Sequence, residues 1–199
     1  MDVTAASTLF AWIDREIWLV TAQDGSRRGG MIATQVMQAS FVADMPRMVL
    51  GVARHHYTWE LISASRTCAL HLLTEENLDL VWRFGLESGR DGDKLDGIEV
   101  TTGITGCPRM NHTVGWLDCR VETELELGDR TLFVLDVVEG CVNNFTRPLN
   151  MRRLMELAPS PLLTQLQRNR HQQGFIEAEA VRLWREELAE KRAEPDSPK

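Results

Sequence analysis

The chain predicts a mainly β, α+β fold: an antiparallel barrel with helices inserted between its strands and a helical C-terminal extension. Three observations carry this. Leu117, Cys119, Val121, Leu125 and Leu127 alternate with Asp118, Arg120, Glu122, Glu124 and Glu126, which is the period-two signature of a long, half-buried strand. Gly128-Asp129-Arg130 then supplies a turn, and residues 131–138 return as a mostly apolar run, completing a hairpin. The other connections between strand-like runs are short, which suits antiparallel neighbours rather than a parallel α/β sheet.

Taken in order, Leu9, Phe10, Ile13 and Ile17 have helical spacing and predict a short entry helix over 9–17. Residues 17–22 read as a strand, 23–30 as a turn rich in Gly and Asp, and 30–37 as a second strand. Asp44-Met45-Pro46 breaks the chain, and 48–53 is a third strand. A short helix over 58–64 follows, then a strand over 68–73 that carries His71. Thr74 is the N-cap of a helix reaching Trp82 or Phe84. Residues 85–97 form a loop rich in glycine and charge, long enough to be a candidate functional loop. After Pro148 the character changes. Ser160-Pro161 starts a helix, and Ile176, Ala180, Trp184 and Leu188, with Val181 beside them, give it an amphipathic face.

Composition narrows the function. At 199 residues, 43% apolar and 26% charged, the chain is an ordinary globular protein with core enough to need no disulfide or metal. Its net charge of −7 argues against a general nucleic-acid binder, which needs a basic face. Local basic clusters remain: Arg27-Arg28, Arg54-His55-His56, and Arg90 with Lys94. They suit an anionic small ligand. Cys68, Cys107, Cys119 and Cys141 include no C-x-x-C pair, so zinc and thioredoxin-like chemistry lack their signature. They read as reduced thiols in a cytoplasmic protein. No signal peptide is expected at the N-terminus, and the longest apolar stretches are too short to cross a bilayer.

The familiar catalytic signatures are missing. There is no G-x-G-x-x-G strand-to-helix turn, P-loop, G-x-S-x-G elbow or H-E-x-x-H pair, and no metal site is expected. What remains is a set of three segments. The first, residues 29–41, opens on two glycines and continues through small, β-branched and hydroxyl side chains, a backbone able to press against a flat polar ring. The second, Arg54-His55-His56-Tyr57-Thr58, lies at a strand-to-helix junction, where free N–H groups and a partial positive charge suit phosphate. Here Thr58 offers a hydroxyl at the N-cap and Arg54 a full charge. The third, residues 84–94, is a loop able to bring Arg90 and Lys94 to a ligand.

In this order the residues carry a family resemblance. Gly30-Met31-Ile32-Ala33-Thr34, Ala39-Ser40, Pro46, Thr58-Trp59-Glu60-Leu61-Ile62, Phe84-Gly85 and Asp93-Lys94-Leu95-Asp96-Gly97 occur in turn. Gly106-Cys107-Pro108, Leu117-Asp118-Cys119, Gly128-Asp129-Arg130-Thr131-Leu132-Phe133 and Pro148-Leu149 follow. From about residue 17 to 149 the chain resembles the flavin reductase-like, FMN-binding split-barrel family. The resemblance implies a split antiparallel barrel, a homodimer with a flavin near each interface, FMN rather than FAD, and NAD(P)H as a possible co-substrate. It implies that Ile32, Ala33, Thr34, Gln35, Gln38, Ala39, Ser40 and Phe41 lie along the isoalloxazine. It further implies that Arg54, His55, His56 and Thr58 hold the 5′-phosphate, with Arg90 and Lys94 as further candidates. The division implied is a barrel domain over 1–150, a helical extension over 151–192 on the barrel or dimer interface, and a flexible tail over 193–199.

Arg130 stands where several NADH-using members carry His. It is a weak substrate-site candidate, compatible with an anionic substrate or the phosphate of NADPH. Three readings follow from the whole: an FMN-dependent NAD(P)H oxidoreductase, an FMN-binding electron carrier or sensor without NAD(P)H turnover, and a barrel that binds another anion.

Overall fold

The structure is a computed structural model and describes residues 3–193. Its strands are β1 (Trp18–Asp24), β2 (Arg27–Ala33), β3 (Val36–Gln38), β4 (Arg47–Ala53), β5 (Thr67–Leu72), β6 (Thr101–Thr102), β7 (Pro108–Arg109), β8 (Gly115–Glu126) and β9 (Arg130–Val142). Seven of them form one antiparallel sheet in the order β2-β1-β5-β8-β9-β4-β3, and β6 and β7 make a separate ribbon. A flat sheet of seven strands would be about 29 Å wide. Yet β2 and β3, at its two edges, are joined only by Thr34-Gln35, and three residue steps reach at most about 11 Å. The sheet must therefore curl until its edges approach, and the Gly51 N–H bonds the Gln35 carbonyl at 2.8 Å across the closure. This is the split antiparallel barrel.

Apolar side chains fill both faces of β1. Val20 and Ala22 join Leu50, Val52, Leu70, Phe133 and Leu135 inside the barrel. Ile17 and Leu19 face a second core outside it, with Val81, Phe84, Leu95, Leu149 and Leu154. That double burial is why this strand reads as a continuous apolar run rather than an alternating one.

The described residues also form five α-helices: α1 (Val3–Trp12), α2 (Tyr57–Ser65), α3 (Leu78–Leu86), α4 (Met151–Leu157) and α5 (Ser160–Ala193). Several boundaries differ from the sequence expectation. The entry helix ends at Trp12, and Ile17 is instead a core residue whose N–H bonds the Leu149 carbonyl. The turn before β2 is confined to Gly25-Ser26, so Gly29 and Gly30 are strand residues. The strand expected over 30–37 breaks at Thr34-Gln35, where the chain crosses between sheet edges. Thr74 caps a single 3-10 turn (Glu75–Asn77) that leads into α3, in a reciprocal capping arrangement with Asn77. Two register shifts interrupt the β8–β9 pairing, one at Val138 of β9 and one at Glu122 of β8. Leu117, Cys119 and Val121 face the barrel core as expected, and Asp118 on the opposite face is fully buried beneath the loop that carries Thr105, while Leu125, past the bulge, is exposed. The extension is two helices, and Ile176 points to solvent rather than along the inner face of α5. Of the expected flexible tail, residues 194–199 lie outside the described residues.

α5 rests on the β8–β9 turn. Gly128 has a φ of +88°, and a Cβ there would lie 2.6 Å from Trp184 Cβ and 2.9 Å from the Ala180 carbonyl oxygen. Gly128→Ala is therefore expected to cost about 1–2 kcal/mol from the left-handed backbone alone. It should also lift the C-terminal half of α5. A lowered Tm with faster proteolysis after residue 174 is the result to look for; an unchanged digestion pattern would show that α5 does not depend on this seat.

Candidate functional site

A cleft of about 630 Å³ opens along β2, within the usual range for small-ligand sites. β2 is an edge strand, paired only with β1, so the backbone groups along its other edge are free to meet a ligand. Gly30 lets the opposite wall come close, since a Cβ there would fall 2.7 Å from the Val20 carbonyl oxygen and 3.1 Å from the Phe84 ring. Thr34 and Gln35 continue this wall past the end of the strand. α3 and the loop through Arg90 form the facing wall, and the first turn of α2 closes one end.

That closed end is rich in donors. α2 begins after His56 (φ −75°, ψ 138°), and no side chain caps it. Its first N–H groups carry the positive end of the helix dipole. Thr58, expected as the cap, is the second helical residue and is buried. The His55 and His56 rings lie 4.4 Å apart. Burial is the main cause holding both below the ordinary histidine value, and His56 goes down to about 4. His55 Nε2 is buried with no hydrogen-bond partner. Lys94 is buried too. Its Nζ donates to the Phe84 carbonyl at 3.2 Å and the Glu87 carbonyl at 3.1 Å and lies over the Phe84 ring. Among the described residues it has no carboxylate in ion-pair reach, and burial pushes it down to about 8. A neutral histidine with a bare nitrogen, a buried ammonium without an anion and an uncapped helix all lack the same thing, a negative group.

Two other cations near this end, Arg90 and Arg130, are committed. Arg90 Nη1 donates to the His55 carbonyl at 2.9 Å, and its Nη2 pairs with Glu60, pinning the loop to α2. Arg130 is shared among the Asp129 carboxylate, Gln35 Oε1 at 2.7 Å and Glu177 Oε2 at 2.9 Å. With two carboxylates on it, its charge is already balanced, which weakens its reading as an anion receptor.

Of the residues expected at the site, Ile32, Ala33, Thr34, Gln35, His55, His56, Thr58, Arg90 and Lys94 come together in the cleft, as does Arg130. Gln38, Ala39, Ser40, Phe41 and Arg54 do not line it. Gln38 Nε2 bonds the Ser40 carbonyl at 2.6 Å, Ser40 Oγ accepts from the Val42 N–H, and Phe41 is 99% exposed. Arg54 lies over the Trp59 ring and 3.6 Å from Glu126. Sequence reasoning missed the contribution of α5, whose Asn169, Arg170, Gln173 and Glu177 form the outer wall. A stripe of residues three and four apart, running from Leu162 to Leu188, was the available signal.

The arrangement can receive a flat polar ring with an anionic end: an edge strand for the ring, and unmatched donors at one end for a negative group. Residues 11–157 match the family described as "Flavin reductase like domain". The high molecular weight rubredoxin of Moorella thermoacetica is 28% identical over 144 residues, 71% of this chain and 60% of that protein. Diflavin flavoprotein A 1 of Synechocystis is matched over only 22% of its length. The ferric-chelate reductase (NAD(P)H) of Archaeoglobus fulgidus is 28% identical over 142 residues, covering 70% of this chain and 80% of that one. Among solved structures, a flavin reductase domain protein from Arthrobacter sp. FB24 has a TM-score of 0.67 at 23% identity, covering 75% of this chain and 91% of its own. The FMN-binding protein from Thermus thermophilus has a TM-score of 0.61 at 22% identity, covering 66% and 73%. At these identities the structural likeness concerns the fold. The family match ends before α5, so the outer wall of the cleft is built by residues beyond it. With most of its length matched, and with the split barrel that its structural neighbours share, the chain belongs to the flavin reductase-like family.

Proposed function

We propose that the protein is an FMN-dependent oxidoreductase that takes electrons from NAD(P)H and passes them to flavin or a small acceptor. The observation that carries this is the donor-rich end of the cleft, where Lys94, His55 Nε2 and the start of α2 all lack an anion. A flavin 5′-phosphate supplies it. The loop that Arg90 pins to α2 closes this end, which favours a nucleotide ending at its phosphate over FAD. The bound flavin supplies the two-electron chemistry. The chain's own part is to offer β2 backbone groups to the ring, to keep water away with Ile32, Trp82 and Phe84, and to hold Arg130 through Gln35 and Glu177. The names of two relatives, a ferric-chelate reductase (NAD(P)H) and an FMN reductase (NADH), support the same chemistry here.

The test is direct. The purified protein should bind FMN, and anaerobic NADH or NADPH should bleach the oxidised flavin band. If neither bleaches it, the protein is an electron carrier or sensor. That second reading is favoured by the Arg130–Glu177 pair, which ties α5 across the cleft. A protein that stays colourless with added FMN would refute both.

Two further parts of the reading concern setting. Homodimer formation is supported by the exposed Met37, Phe41, Val42 and Met45 around β3, and by Phe145 after β9. In a dimer the segment from Gln38 to Phe41 would reach a site it does not line in one chain. A cytoplasmic setting is supported by four free cysteines; among the described residues no helix is long and apolar enough to cross a membrane.

A further inference from the structure

The inner face of α5 changes character along its length. Leu162 and Leu166 near its start, and Ala180, Val181, Trp184 and Leu188 towards its end, are half-buried. Between them the same stripe carries Asn169, Gln173 and Glu177, equally half-buried. A helix that only packs on a barrel keeps such a stripe apolar throughout. The polar stretch falls where α5 crosses the cleft. Arg130 takes up Glu177, but the side-chain amides of Asn169 and Gln173 have no hydrogen-bond partner among the described residues.

The charges divide the same way. Arg90 and Arg130 are paired, whereas Arg15 and Arg170 line the same cleft with no ion-pair partner among the described residues. Apolar side chains line the same cleft, Ile17, Trp82, Met151 and Leu166 among them. Gly29 abuts Tyr57 at the start of α2, while Ala33 pairs with Trp18, three residues after Arg15. Four strand steps separate Gly29 from Ala33, roughly 13 Å along the cleft. Two guanidiniums and two amides without partners, in a partly apolar recess, present mainly donors and a double positive charge. Their complement is an anion.

We propose that Arg15, Asn169, Arg170 and Gln173 form a second anion subsite, taking a phosphate or carboxylate of the small molecule that exchanges electrons with the flavin. Its role in electron exchange rests on the flavin reading above; its capacity to bind an anion does not. The subsite draws three of its four residues from α5, beyond the family match. Specificity for the electron partner would then be set by the extension, not by the barrel.

Calorimetric titration of the FMN-saturated protein with inorganic pyrophosphate, and separately with succinate, tests it at low ionic strength. At least one should bind, and Arg15→Gln with Arg170→Gln should weaken it at least tenfold. Pyrophosphate alone identifies a phosphate partner, and succinate a carboxylate. FMN affinity should stay within about twofold in the same variant, and Arg168→Gln, on the exposed side of α5, should change nothing. Arg170→Gln alone, at an exposed position, keeps the test open if the double variant does not fold. The proposal is overturned if neither anion binds the parent more tightly than the variant, or if FMN and anion affinity fall together, since the arginines would then serve the flavin. If the protein binds no FMN, the same titrations on the protein alone decide the subsite separately.

Discussion

Lys94→Met is expected to weaken FMN binding about 10- to 100-fold, the range for losing one charged hydrogen bond, without destabilising the FMN-free protein. The two halves come from one cause. Lys94 is buried, its Nζ is satisfied only by two carbonyls, and burial holds it down to about 8. In the unfolded chain the same group titrates near 10.5. Between these values the unfolded chain binds the extra proton, so stability rises as pH climbs from about 8 to 10.5. Below pH 8 both states are protonated and the full cost applies, on the order of 3 kcal/mol. Methionine keeps the length of the side chain and removes that cost, partly offset by the lost bonds to Phe84 and Glu87. With FMN present the balance reverses, because the phosphate is the anion Lys94 lacks. Parent affinity should then decline as pH rises past about 8, through a range where the phosphate stays a dianion, while the variant stays flat. Urea unfolding of the FMN-free proteins and flavin fluorescence titrations from pH 7 to 10 give both readings. Equal FMN affinity in parent and variant would remove Lys94 from the site.

Lys94 also shows what the sequence could carry. Its place in the Asp93-Lys94-Leu95-Asp96-Gly97 string was legible, but its burial was not, since nothing local separates a buried lysine from a solvated loop charge. The long hairpin was legible because one face of it is apolar over many positions. Leu125 was misread because the bulge at Glu122 shifts the side chains that follow it, and no residue type marks a bulge; Asp118 keeps its outward face, and what buries it comes from elsewhere in the chain. The loop from Thr105 to Cys107 then covers Asp118, with the Thr105 N–H bonding its carboxylate at 2.9 Å. Thr34-Gln35 looked like mid-strand because both flanks are strands, although they belong to opposite edges of the sheet. In α5 the spacing gave the helix away, yet three polar residues on its inner face made that face look shorter than it is. Those residues sit at the cleft, where local rules of burial give way to a ligand's needs.

His71→Asn is expected to flatten the acid side of the stability profile. His71 sits on β5 with no exposed surface. Its Nδ1 lies 3.0 Å from the Leu19 carbonyl oxygen, and its Nε2 has no partner. A neutral ring donating from Nδ1 satisfies that carbonyl and leaves Nε2 bare. Burial is the largest influence and drives the group down to about 4; the Leu19 carbonyl and Asp118 oppose it, and Arg109 adds to it. The unfolded chain takes up a proton near 6.5 and the folded one does not until about 4. Stability therefore falls as pH drops through that window, by about 1.4 kcal/mol per unit at most and about 3 kcal/mol in all. Asparagine can keep a donor near the Leu19 carbonyl but does not titrate. The variant should be less stable than the parent at pH 7, because the missing ring atoms leave a void. As the parent loses stability on acidification, that gap should close or reverse by pH 4. Comparing the two proteins at each pH cancels the carboxylates they share. His56, also held near 4, remains in both, and saturating FMN should protect its part of the acid limb by giving its proton a phosphate partner. A gap that stays constant from pH 7 to 4 would mean that His71 is protonated at no cost in the folded protein, and that its bare Nε2 has found an acceptor.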